Sequence, residues 1–124
     1  MSKRPVIRWL IEPEEHDYPA AQSYLSLIYD DAVALDYVMR LRQAQTALFK
    51  AKDIFRASGL SLLGVSNSHV EKDREKILAG DRLSPLLLVR DRERGTVVIA
   101  DGYHRMCSVY QFDEDAVIPC KIVS

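Results

Sequence analysis

The chain has 124 residues, enough for one domain with one core and too few for two ordinary ones. Its 17 Lys and Arg against 18 Asp and Glu leave a formal charge of −1, so bulk charge does not attract nucleic acid and any anion site has to be a local cluster. No apolar run approaches the roughly 18–20 residues that span a bilayer, and the start MSKRPVIRWLIEPEEHDY meets Glu12, Glu14 and Glu15 too early for a secretory leader.

Residues 1–17 read as a mixed arm with a short apolar patch at 6–11, a strand or a packed tail. From Pro19 onward Ala20, Ala21, Tyr24, Leu25 and Ile28 recur at helical spacing, with Asp17 as the expected cap. Asp30 and Asp31 open a second helix with Leu35, Val38, Met39 and Leu41 facing inward. Together these form an α-hairpin over residues 1–45, ahead of a core at 46–124, within a single domain.

From residue 46 the pattern changes. TALFKA suits a short strand, and KDIFRASG a short helix that Gly59 closes. LSLLGVSN is an irregular apolar connector. Ser68 and Glu71 have capping-box spacing and start the polar helix HVEKDREKILA, which Gly80 ends. PLLLVR and TVVIAD read as strands joined by the charged turn DRERG. The helix YHRMCSVYQF follows, with Met106, Val109 and Tyr110 inward, and AVIPCKIV is the last strand, placed at an edge or bulge by Pro119. The order α-α-β-α-α-β-β-α-β predicts an α+β domain.

Cys107 and Cys120 both fall in apolar patterns and read as buried free thiols. His16, His69 and His104 are scattered, and no two have the spacing of metal ligands on one helix, so no metal site is expected. Tyr24, Tyr29 and Tyr37 are expected to pack in the core.

The stretch TVVIADGYHRMCSVY raises the functional question, because it puts His104 and Arg105 side by side at a helix start. A helix N-terminus carries roughly half a positive charge and unpaired N–H groups, so each cation there costs about 0.3–1 kcal/mol unless an anion arrives. Asp101 can cap the helix, and Gly102 lets another group approach the backbone closely. A phosphate or carboxylate would draw together the free N–H groups, the guanidinium and the imidazole. Arg105 is expected in an exposed first turn, removable without harm to the fold. His69, Lys72 and Lys76, at i, i+3 and i+7, share one face of the preceding polar helix, and that face suits a polyphosphate. Glu71, Asp73 and Glu75 are expected mostly elsewhere on that helix.

The succession of a strand, ADGYHR and a helix, with LSPLLLVR upstream, resembles the ParB N-terminal/sulfiredoxin-like superfamily over residues 46–123. There a strand–D/G-G-x-H/R-R–helix motif binds a phosphate of a nucleotide. The resemblance implies a small mixed sheet, a bacterial cytoplasmic setting, and phosphate contacts from Asp101, Gly102, His104 and Arg105, with Tyr103 lining the site. Lys72 and Lys76 fall on the helix that supplies nucleotide contacts in sulfiredoxins, and Ser84-Pro85 falls where the family often has a proline before the strand. Sulfiredoxins carry their nucleophilic cysteine immediately before the His-Arg pair, where this chain has Tyr103, so sulfinic acid reduction is not expected. The 124 residues hold neither a helix-turn-helix nor a dimerisation segment, so specific DNA binding of the ParB kind is not expected either.

Three functions follow from this reading. The first is a nucleotide-dependent phosphotransferase or phosphodiesterase, with a nucleotide and magnesium as cofactors and Asp101 and His104 as the catalytic residues; its weak point is the lack of a second placed carboxylate. The second is a non-catalytic regulatory module that binds a small phosphorylated ligand and uses the N-terminal helices against a partner or a second copy. The third is a ParB-type nuclease.

Overall fold

The computed structural model describes residues 5–64 and 66–124. The basic start of the chain and residue 65 of the expected connector lie outside the described residues. The elements in chain order are β1 (Arg8–Trp9), α1 (Asp17–Leu25), α2 (Asp31–Gln43), β2 (Thr46–Lys50), α3 (Ala51–Ser58), α4 (Ser68–Ala79), β3 (Arg82–Leu83), β4 (Leu86–Asp91), β5 (Thr96–Asp101), α5 (Tyr103–Phe112) and β6 (Val117–Val123). This is an α+β fold. Four strands form a mixed sheet in the order β2-β6-β4-β5, antiparallel at both outer pairs and parallel between β4 and β6, while β1 and β3 make a short parallel ladder beside it.

The alternation of side chains along β4 explains why helices cover both faces. Leu86 and Leu88 point into one cluster with Ile54, Val70, Ile77, Met106, Val109 and Ile118, beneath α3, α4 and α5. Leu87 and Val89 point into the other, with Tyr18, Ala21, Leu25, Ala34, Val38 and Leu41 of the N-terminal helices. The N-terminal hairpin therefore supplies six of the ten buried residues of the second cluster. Cys107 and Cys120 are buried free thiols in the first cluster. No helix among the described residues is long and apolar enough to cross a membrane.

Several local expectations are corrected. Asp17 does not cap α1; it is the first helical residue and is buried, and His16 holds the cap position without a side-chain capping bond. Tyr24 and Ala20 face solvent, and Tyr29 and Tyr37 meet edge to face on a half-buried rim. On α2 the inward positions are Ala34, Val38 and Leu41, so Leu35 and Met39 are exposed: the helix is turned by about one residue from the expected phase. The cap of α4 is Asn67, whose carboxamide oxygen accepts from the N–H groups of His69 and Val70, rather than Ser68. Pro119 lies in the interior strand β6 and not at an edge; the ladder to β4 begins only at Cys120, so β6 has one neighbour at that point and the missing N–H is tolerated. Tyr110 packs half-buried against the core through Phe55.

One irregularity shapes the motif that follows. Leu87 stands opposite Asp101 and Leu88 opposite Ile99, so β5 carries one extra residue, Ala100, in a bulge. Cross-strand partners share a face, and Asp101 is thereby turned to the Leu87 side, toward α1. Because Leu87 is fully buried against the hairpin, Leu87→Ala is expected to destabilise the protein by about 2–5 kcal/mol in urea unfolding, through lost contacts and the cavity left behind.

Candidate functional site

Gly102 ends β5 with φ +108° and starts α5, which has no side-chain cap. A Cβ at this position would stand 2.7 Å from Leu86 Cγ and 3.0 Å from an Arg105 terminal nitrogen, so glycine is needed both for the backbone conformation and for the space. The group that approaches the backbone here is the chain's own leucine and guanidinium.

Arg105 reaches back across that glycine. One terminal nitrogen donates to Asp101 Oδ2 at 2.9 Å and to the Pro85 carbonyl at 3.5 Å, and lies 3.6 Å from Asp17 Oδ2. Ser84 Oγ donates to the same Asp17 oxygen and accepts from the Glu14 N–H at 3.0 Å, which ties the arm to this cluster. Asp101 is thus a partner of Arg105 and not a helix cap. Burial raises the Asp101 carboxyl above its ordinary value, Arg105 lowers it, and the neighbouring Asp17 raises it again. The Arg105 side chain is 17% exposed and its Nε is buried with no hydrogen-bond partner, so the exposed first turn expected for it is overturned.

Above this buried cluster, α4 and α5 enclose a pocket of about 230 Å³ lined by His69, Lys72, Asp73, Lys76, Gly102, His104 and Arg105. Residues 69, 72, 73 and 76 recur at i, i+3, i+4 and i+7, which places all four on one face of α4. The ring of His69 faces that of His104 with centroids 4.9 Å apart. Burial lowers the His104 pKa below its ordinary 6.5, and neighbouring His69 lowers it further, so the imidazole is neutral at pH 7. The side chains of His69, Lys72, Asp73, Lys76 and His104 form no hydrogen bond or ion pair with any described residue. Their neighbour Arg74, by contrast, is taken by Glu71. A larger depression of about 510 Å³ lies by the hairpin, but there Tyr29, Asp91 and Arg94 are bonded to one another.

The structure thus brings together His69, Lys72, Lys76, Gly102, His104 and Arg105. Asp101 sits below them, bonded to Arg105, and Tyr103 is outside the lining: its hydroxyl donates to the Ser61 carbonyl, fastening α5 to the connector. Burial raises the Cys107 thiol pKa, and that residue faces the core. Three participants escaped the sequence reading. Asp73 was legible, since it lies one turn from His69 on the same face. Asp17 and Ser84 were not, because their partners are 67 and more residues away. No group of three His, Cys, Asp or Glu among the described residues could hold a metal ion. No protein-family model, curated protein or solved structure matches this chain.

Removing Arg105 would leave Asp17 and Asp101 facing each other without the guanidinium that joins them. Arg105→Ala is therefore expected to lose about 3–5 kcal/mol in denaturant unfolding even without a ligand. His104 gives a pH signature. Its folded pKa lies below the unfolded one, so the unfolded chain takes up the proton first as pH falls, and stability drops below about pH 6.5. His104→Gln should flatten that part of the stability profile.

Proposed function

We propose that this protein binds a phosphorylated ligand, in the simplest case a nucleotide, with one phosphate group between α4 and α5, and that residues 46–124 are a ParB/sulfiredoxin-like core. The observation that carries this reading is the convergence of Lys72, Lys76, His69 and His104 on one pocket with no hydrogen bond or ion pair to any described residue. Lys72 and Lys76 on one face of α4 repel one another, and an anion relieves that repulsion. Arg105 contributes to the positive field from below while Asp101 holds its terminal nitrogen in place.

The pocket is smaller than the roughly 300–1,000 Å³ of typical small-molecule sites. It therefore suits a phosphate or diphosphate, with the remainder of the ligand extending outward over α4. Magnesium would arrive on the phosphates of the ligand, as is usual for that ion. Asp101, proposed from the sequence as a catalytic residue, is engaged by Arg105, which leaves His104 as the reactive group at the helix start.

A second reading is a regulatory module that pairs with a second copy. Its support is the exposed Leu35 and Met39 on the outer side of α2, one turn apart. A ParB-type nuclease has no comparable support.

The test is a thermal-shift series with inorganic phosphate, pyrophosphate, ADP and ATP, with and without magnesium. A ligand at about 100 times its Kd should stabilise the protein by roughly 2.7 kcal/mol, read as several degrees for a domain of this size. The shift should disappear in Lys72→Ala/Lys76→Ala, whose unliganded melting temperature should stay near wild type because both lysines are exposed and form no ion pair with any described residue. A full shift in the double variant would place the ligand elsewhere.

A further inference from the structure

Asp73 is the lining residue whose charge opposes an anion. A site that only binds phosphate is weakened by a carboxylate in its wall, since like charges at close range repel. Nor is Asp73 tied down in a close ion pair, although it lies in the field of the surrounding cations. It forms no hydrogen bond or ion pair with any described residue, Arg105 is already engaged by Asp101 with Asp17 close by, and Arg74 is engaged by Glu71. It is half-buried on α4, between His69 and Lys76 and across from His104 and Arg105. A free carboxylate among cations that would hold a phosphate is the arrangement that proton removal from an attacking hydroxyl requires.

We propose that Asp73 is the general base for transfer of a phosphoryl group, from a phosphoanhydride bound in this pocket, to a hydroxyl acceptor of which water is the simplest. This rests on the reading of the pocket as a phosphate site. The acceptor oxygen attacks the terminal phosphorus and forms the new O–P bond while its proton passes to a carboxylate oxygen of Asp73. The bond from that phosphorus to the bridging oxygen breaks, and the electron pair leaves with the nucleoside diphosphate, whose added negative charge is met by Lys72 and Lys76. Asp73 then returns the proton to water. Nothing is oxidised or reduced. Burial raises the Asp73 carboxyl above its ordinary value, while Arg105, Lys76, His104 and His69 act in the opposite direction.

The experiment uses ATP with magnesium as its probe and follows two quantities, ATP binding by calorimetry and phosphate release. The wild type is expected to bind ATP and release phosphate. Asp73→Asn, matched in shape, should bind at least as tightly because a repelling charge is gone, while its turnover falls by about 10²–10⁴-fold, the usual range for loss of a general base. Asp73→Glu keeps the carboxylate and should recover part of that loss, which guards against a folding defect in the first variant. Undiminished turnover in Asp73→Asn overturns the proposal. So does a wild type that binds ATP and releases no phosphate, although the phosphate-site reading then survives. If ATP, ADP and pyrophosphate all fail to bind, that reading falls and the proposal with it.

Discussion

A guanidinium between two carboxylates joins the beginning of this chain to its end. Asp17 enters from α1, Asp101 from the last residue of β5, and Arg105 from the first turn of α5, and Ser84 closes the group from the connection into β4. All are buried or nearly so, and a buried charge left alone is costly, so the positions of these elements depend on one another. The excess of carboxylate over guanidinium explains why the Asp101 carboxyl is raised beside Asp17 despite a cation at 2.9 Å. It also explains why the N-terminal helices belong to the domain and cannot be regarded as an accessory. They close one face of the sheet with Leu25, Val38 and Leu41, and they supply one of the two anions that hold Arg105 under the pocket.

Much of the architecture was legible because it rests on local signals. Gly59 and Gly80 end helices in the left-handed conformation that their residue type permits, and the apolar runs of β4 and β5 are too continuous for exposed strands. The misread elements are those where a one-residue shift decides the outcome. On α2 the sequence offers apolar residues on more than one side, and small Ala34 rather than bulkier Leu35 meets the sheet, so Leu35 and Met39 are left outside. Asn67 and Ser68 are both competent caps, and only the backbone path of the connector selects the first. Pro119 implied an edge because the parallel partner of β6 starts one residue later, a register that no single segment encodes.

The candidate site divides in the same way. His69, Lys72 and Lys76 could be placed on one face by counting, and the DGYHR motif could be placed at a helix start. The role of Asp101 could not, because it depends on the bulge at Ala100, which turns the aspartate toward α1 and away from the cap position. Arg105 followed: once Asp101 and Asp17 share a face of the sheet, the guanidinium folds back over Gly102 to reach them and leaves the surface.

The result is two tiers of charge that differ in how far their groups are paired. In the lower tier, cation and anions are paired and shielded from water, so they fix geometry and give up little to an incoming ligand. In the upper tier two lysines, two histidines and one aspartate face a common space with no hydrogen bond or ion pair to any described residue. A lower tier without the upper one would be a structural ion cluster of the kind many domains contain. An upper tier without the lower one would keep α4 and α5 packed through the core they share and the Ser108 hydroxyl's bond to the Val70 carbonyl, but Arg105 would no longer be held beneath Gly102. Buried Arg105 under Gly102 makes the first tier support the second, and the unpaired carboxylate of Asp73 within the second is the feature that simple anion binding leaves unexplained.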